Sequence, residues 1–84
     1  MSLSASAWDQ LRSITVEDLI RALERDDWTC EAGKGSIRIY YKGPGQRVSV
    51  HFHPGKTFGP KLLKSLLTDI GWTEQQMRDL KLIK

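Results

Sequence analysis

The 84-residue chain has little of what marks secreted, membrane-spanning or metal-thiolate proteins. Its one cysteine, Cys30, excludes an intrachain disulfide and a metal site built from cysteine pairs. No apolar run approaches the roughly 20 residues that span a bilayer, and the first residues lack the basic and apolar regions of a secretory signal. We therefore expect a protein of the reducing cytoplasm that has no membrane partner.

The length of the chain leaves room for one hydrophobic core and no second. The Ser/Ala-rich start predicts a mobile N-terminal tail over residues 1–13, in which Trp8 and Leu11 can anchor one helical turn. Residues 14–84 are predicted to form a single domain.

Positive charge is concentrated in the middle of the chain. Residues 28–64 contain one acidic residue and seven lysines and arginines, a balance of +6, whereas residues 1–27 have a balance of −3. A basic surface of this kind attracts polyanions such as nucleic acid. A sheet face that is merely solvated has the same composition, so both interpretations stay open, and we favour phosphate binding.

Hydrophobic periodicity and end signals predict an α+β domain. Thr15 with Asp18, and Thr73 with Gln76, have the spacing of capping boxes at helix starts. Alternation of apolar and polar residues predicts strands between the helices. The predicted elements are a helix over Val16–Arg25, strands over Trp28–Ala32, Ile37–Lys42 and Arg47–His53, a helix over Pro60–Ile70 and a short helix over Glu74–Leu80.

The turn between the second and third strands determines which side chains face the core. A four-residue turn over 43–46 would pair Lys42 with Arg47, Arg38 with His51 and Ser36 with His53. In that register Ile37, Ile39 and Tyr41 face the core. Arg38, Tyr40 and Lys42 then share an outer face with Arg47, Ser49, His51 and His53.

Four short stretches carry a resemblance to a known family. They are Val16–Arg25 followed by Trp28, the pair Gly35-Ser36, Arg47–Val50 leading to His53 and Gly55-Lys56, and Leu62–Leu67 leading to Gly71. Their order and spacing, over about residues 14–72, are similar to the HicA family of toxins, the mRNA-cleaving members of toxin–antitoxin pairs.

The resemblance implies a double-stranded-RNA-binding-domain-like fold, in which helices cover one face of a three-stranded antiparallel sheet. It also implies mRNA endonuclease (hydrolase) activity without a cofactor, and a HicB-like antitoxin as partner. RNA would lie on the basic sheet face, where Tyr40 could stack on a base. The expected RNA-binding residues are Lys34, Ser36, Arg38, Tyr40, Lys42, Arg47, His51, His53, Lys56, Lys61 and Lys64.

One family residue is missing. The family's catalytic histidine follows the Gly-Ser pair, where this chain has Ile37, and isoleucine can neither take nor give a proton. We therefore expect a weakened or inactive nuclease, with His53 as a weak candidate for the catalytic role. His51 and His53 have metal-ligand spacing, but no third ligand is nearby in sequence, so we expect no metal site. The alternatives are a non-catalytic RNA- or partner-binding module of the same fold and a structural domain.

Overall fold

A computed structural model describes residues 3–32, 35–53 and 55–84 of the chain. It confirms the α+β class, with one three-stranded antiparallel sheet in the order β1-β2-β3. Among the residues described, no helix has both the length and the apolar character to cross a membrane. The elements are α1 (Ala5–Leu11), α2 (Val16–Arg25), β1 (Thr29–Ala32), β2 (Ile37–Lys42), β3 (Gln46–His51), α3 (Pro60–Ile70) and α4 (Glu74–Asp79).

The ends of the two long helices are set by local signals in the sequence. The hydroxyl of Thr15 accepts from the backbone N–H of Asp18, whose carboxylate accepts from the backbone of Thr15, so the predicted capping box starts α2. Helix α3 begins with Pro60 and ends before Gly71, which adopts a left-handed φ of 81°. The predicted bounds of both helices are confirmed.

The expected N-terminal tail is corrected for residues 5–11. They form α1, which buries Ala7 and Leu11 in the core. The backbone N–H of Ser4 donates to Glu74 of α4 at 2.8 Å, and the backbone N–H of Lys84 donates to the Gln10 side chain at 2.6 Å. The sequence indicated the apolar anchors of this segment but not these partners, which lie about 70 residues away.

The predicted hairpin register is wrong by one residue. Residues 43–45 form a three-residue loop, because Gly43 and Gly45 adopt φ values of 62° and 91°, and Lys42 pairs with Gln46. In that register Tyr40 lies opposite Val48 and Ile37 lies opposite His51. Since neighbouring side chains alternate between faces, the shift exchanges the two faces of β2.

The exchange determines which face of the sheet packs on the helices. Tyr40, Val48 and Val50 are almost fully buried, and they form one core with Leu19, Leu23 and other helix residues. The opposite side is the outer face of the sheet. It carries Ile37, Ile39 and Tyr41, each half-buried, with Arg47, Ser49 and His51 on β3.

The carboxylate of Asp26, at the end of α2, connects four parts of the fold. One of its oxygens accepts hydrogen bonds from the indole N–H of Trp28 at 3.0 Å and of Trp72 at 2.8 Å. Its other oxygen lies 2.8 Å from the ammonium of Lys42. Trp28 precedes β1, Lys42 ends β2 and Trp72 follows α3, so this group joins the hairpin to the helices.

The surroundings of Asp26 lower the pKa of its carboxyl group below the ordinary value of 3.8. Partial burial by itself would raise the pKa, but the hydrogen bonds from Lys42, Trp72 and Trp28 together outweigh it. A carboxylate with a lowered pKa in the folded state stabilises the fold above its unfolded-state pKa. It loses that contribution as the pH falls through the folded-state pKa.

We predict that Asp26→Ala lowers the free energy of unfolding by about 2–4 kcal/mol, because two largely buried indole N–H groups lose their acceptor. Asp26→Asn should cost less, since it keeps an acceptor oxygen. Urea denaturation measures both, with the exposed Asp69→Ala in α3 as the control. The difference between the parent and Asp26→Ala should shrink as the pH falls below about 4. An Asp26→Ala protein as stable as the control would contradict this role.

Candidate functional site

A small cleft, here called the β3 cleft, lies where β3 and the loop after it meet α3. Its volume of about 80 Å³ is roughly that of two or three water molecules. It can therefore hold a group of about the size of a phosphate, whereas small-molecule pockets span roughly 300–1,000 Å³. Its polar lining is Ser49, His51, His53, Lys56 and Thr57, and its apolar lining is Val16, Phe58, Leu62 and Leu66.

The loop that carries His53 and Lys56 is held against the start of α2. The backbone N–H of Val16 donates to the carbonyl of Lys56 at 3.0 Å, and the N–H of Gly55 donates to the Glu17 carboxylate at 2.9 Å. Within the loop, the N–H of Lys56 donates to the carbonyl of His53 at 3.1 Å. These bonds give the backbone of the loop a defined position beside β3.

The two histidines of the chain lie side by side on this cleft. The ring centroids of His51 and His53 are 6.3 Å apart and the ring planes differ by 14°. Both side chains are exposed, so a ligand can reach the ring nitrogens from solvent. The described residues contain no group of three or more His, Cys, Asp or Glu that could hold a metal ion.

Position 37, where the resemblance would place a histidine, lies next to the cleft. Ile37 pairs with His51 across the two strands. The N–H of Phe52 donates to the carbonyl of Ser36 at 2.6 Å. This hydrogen bond joins the neighbouring pair, Ser36 and Phe52, so Ile37 and His51 are a non-hydrogen-bonded pair of the antiparallel ladder. Opposite side chains approach most closely in such pairs. The sequence-based register missed this pairing, although a glycine at each end of the turn was the available signal for a three-residue loop.

Three of the expected RNA-binding residues on β2 do not lie on the outer face. Tyr40 is only 1% exposed, and burial raises the pKa of its phenol, so it cannot stack on a base. The guanidinium of Arg38 lies 3.8 Å from the centre of the Phe52 ring, and Lys42 pairs with Asp26. The one-residue register shift accounts for all three differences.

The remaining expected residues are only partly brought together. Arg47 lies on the outer face, with its guanidinium 5.9 Å from the centre of the Tyr41 ring. Lys61 and Lys64 border a separate shallow depression on α3, beside Ser65 and Thr68. Ser36 is exposed at the start of β2, and Lys34 lies outside the described residues.

A larger cleft of about 450 Å³ has a mainly apolar lining from Trp8, Phe58, Pro60 and Leu63. Arg12 and Lys64 supply its charged groups. Such a surface suits an apolar side chain. The walls of the β3 cleft are also largely apolar, but it is the better candidate for anion chemistry because His51, His53 and Lys56 line it together.

The comparison with protein families gives a match over most of the chain. The sequence profile described as the HicA toxin of bacterial toxin–antitoxin systems matches residues 16–72, from the first residue of α2 to just beyond α3. The chain therefore belongs to the HicA toxin family, and this membership implies an antitoxin as its partner. No curated protein and no solved structure matches the chain significantly.

The two adjacent tyrosines of β2 test the assignment of the sheet faces. We predict that Tyr40→Ala lowers the free energy of unfolding by about 3–5 kcal/mol, as expected for removing a fully buried aromatic side chain. Tyr41→Ala should cost about 1 kcal/mol or less, because Tyr41 is half-buried on the outer face. Chemical denaturation of both variants decides the register, and a larger loss for Tyr41→Ala would support the four-residue turn instead.

Proposed function

We propose that this member of the HicA toxin family acts on RNA. It binds RNA along the outer side of β3, the loop after it and the exposed side of α3. Its mRNA endonuclease activity is weakened because position 37 lacks an ionisable side chain. The observation that carries the proposal is the family match over residues 16–72, together with the basic residues and histidines that lie on and beside the β3 cleft.

Electrostatics supports RNA as the ligand. The phosphate backbone attracts Lys and Arg whatever the base sequence. Arg38 and Lys42 are engaged with Phe52 and Asp26, so they contribute less than the composition indicated. Among the described residues that were expected to bind RNA, the cations that remain for phosphate contacts are Arg47, Lys56, Lys61 and Lys64.

A second function, RNA or partner binding without chemistry, is favoured by one observation. Ile37 occupies the place of the family's histidine, and the other outward side chains of β2, Ile39 and Tyr41, include no histidine either, since Arg38, Tyr40 and Lys42 lie on the inner face. Both functions require binding, and they differ in whether RNA is cut.

We predict that the protein binds single-stranded RNA with an affinity that falls steeply with salt. About four phosphate contacts give a slope of log K against log salt near −3. Arg47→Ala with Lys56→Ala should weaken binding and reduce the steepness of the slope by about 1.4. The control, Arg21→Ala with Arg25→Ala, removes the same charge from a different depression, beside α2. Fluorescence anisotropy at several salt concentrations measures all three proteins.

Equal loss of binding in the two double variants would show that only net charge matters and would count against the proposed surface. A HicB-like antitoxin that covers this surface should displace the RNA in the same assay. Simultaneous binding of antitoxin and RNA would place the antitoxin elsewhere.

We predict that Ile37→His increases cleavage of a long mRNA. A positioned general acid or base contributes a factor of about 10² to 10⁴ in rate. The increase in rate would be smaller if the residues around position 37 have also changed in sequence. The matched control is Ile39→His, on the same strand and face but opposite Ser49. Circular dichroism checks that both variants fold, since a histidine in a half-buried place can cost about 1 kcal/mol. A parent already as fast as Ile37→His, or an equal gain for Ile39→His, would contradict a special role for position 37.

A further inference from the structure

We propose that His51 and His53 form a proton-transfer pair in the β3 cleft, and that this pair gives the protein a residual RNA-cleaving activity of its own. The inference rests on the proposed function in taking RNA as the substrate. It adds two catalytic residues, on β3 and just beyond it, in place of the single missing residue on β2.

The first observation is the place of His51. Residues 37 and 51 form a non-hydrogen-bonded antiparallel pair, because the N–H of Phe52 donates to the carbonyl of Ser36. The Cβ atoms of such a pair lie about 4.5–5.5 Å apart on the same face. An imidazole at position 51 therefore reaches much of the space that an imidazole at position 37 would reach.

The second observation is the place of the other ring. The side chain of His53 follows that of His51 along the same side of the chain, with the ring centroids 6.3 Å apart and the planes almost parallel. Two hydrogen bonds of about 2.7–3.0 Å, one from each ring, can meet on a phosphate placed beside the pair. The bond between the N–H of Lys56 and the carbonyl of His53 helps to fix the second ring's backbone.

The charges around the pair suit a phosphodiester. Lys56 lines the same cleft, and Arg47 lies four residues before His51 on the outer face. The carboxylate of Glu17, from α2, accepts a hydrogen bond from the backbone N–H of Gly55 in the loop. Lys56 can hold the phosphate at the histidine pair, and Arg47, further along β3, can contact a neighbouring phosphate of the same RNA strand.

The chemistry needs no cofactor or further reactant. One imidazole, neutral at the start, accepts the proton of the ribose 2′-hydroxyl while the 2′-oxygen forms a bond to the adjacent phosphorus. The bond from phosphorus to the 5′-oxygen breaks, and that oxygen takes a proton from the other imidazole, which starts protonated. The products are a 2′,3′-cyclic phosphate and a 5′-hydroxyl, and proton exchange with water restores the pair. Histidine can start in either form near neutral pH.

The test uses the full chain, an RNA that contains single-stranded segments, and five variants, the first of which is the Ile37→His protein described above. His51→Gln and His53→Gln keep polar side chains of similar reach, but glutamine does not take or release protons at these pH values. The swap Ile37→His with His51→Ile moves one imidazole across the strand pair. Glu31→Gln, on the outer face of β1 at the other edge of the sheet, is the control. Single-turnover cleavage, the chemical ends of the product and the Kd for RNA are measured for each protein.

We expect slow cleavage by the parent and by Glu31→Gln, with cyclic phosphate ends. His51→Gln and His53→Gln should each lose at least tenfold in rate, while the Kd for RNA changes less than about threefold. The swap should cleave at least as fast as the parent, because it keeps two imidazoles on the same face.

Two outcomes overturn the inference and leave the proposed function intact. In one, the parent does not cleave although Ile37→His does. In the other, both glutamine variants cleave at the parent's rate. If neither the parent nor Ile37→His binds or cuts RNA, the proposed function itself is wrong and the histidine pair has no substrate.

Discussion

The Asp26 carboxylate holds the helices and the hairpin of this small domain in one arrangement. It accepts from two indole N–H groups and pairs with Lys42, so the end of α2, the start of β1, the end of β2 and the segment after α3 meet at one group. An 84-residue chain buries a modest core. A single polar junction of four elements therefore has a large share in fixing where the sheet lies on the helices, and hence which of its faces remains outward.

That outward face depends in turn on a loop of three residues. The left-handed glycines at positions 43 and 45 turn the chain one residue earlier than a four-residue turn would. The shift places Tyr40 in the core, and Arg38 and Lys42 against Phe52 and Asp26. It leaves Ile37 and His51 as neighbours outside. Arg38, Tyr40 and Lys42, which the sequence predicted to bind nucleic acid, thus make contacts within the fold instead.

The proposed histidine pair would place the catalytic groups on β3 and the loop after it instead of on β2. β2 has Ile37 where the resemblance would place a histidine, and the strand beside it has an imidazole on the same face, His51, followed by that of His53. The loop after β3 adds Lys56, held there by bonds to the start of α2. The family match shows that the chain is a HicA-family toxin, and the cleft brings together the side chains on which the proposed RNA chemistry depends.

Sequence by itself determined the elements whose signals are local. The Thr15 capping box, Pro60 and Gly71 set the two long helices, and the resemblance to the HicA family predicted a membership that the family match confirms. Tertiary structure alone decided the register, the docking of α1 and the pairing of residues 37 and 51. The reason is that the sequence of β2 allows either face of the strand to pack on the core. One face carries Ile37, Ile39 and Tyr41, and the other carries Tyr40 between Arg38 and Lys42. The choice between these two faces is made only when the whole sheet packs against the helices. In the observed packing, the indoles of Trp28 and Trp72 have an acceptor and Lys42 has a partner.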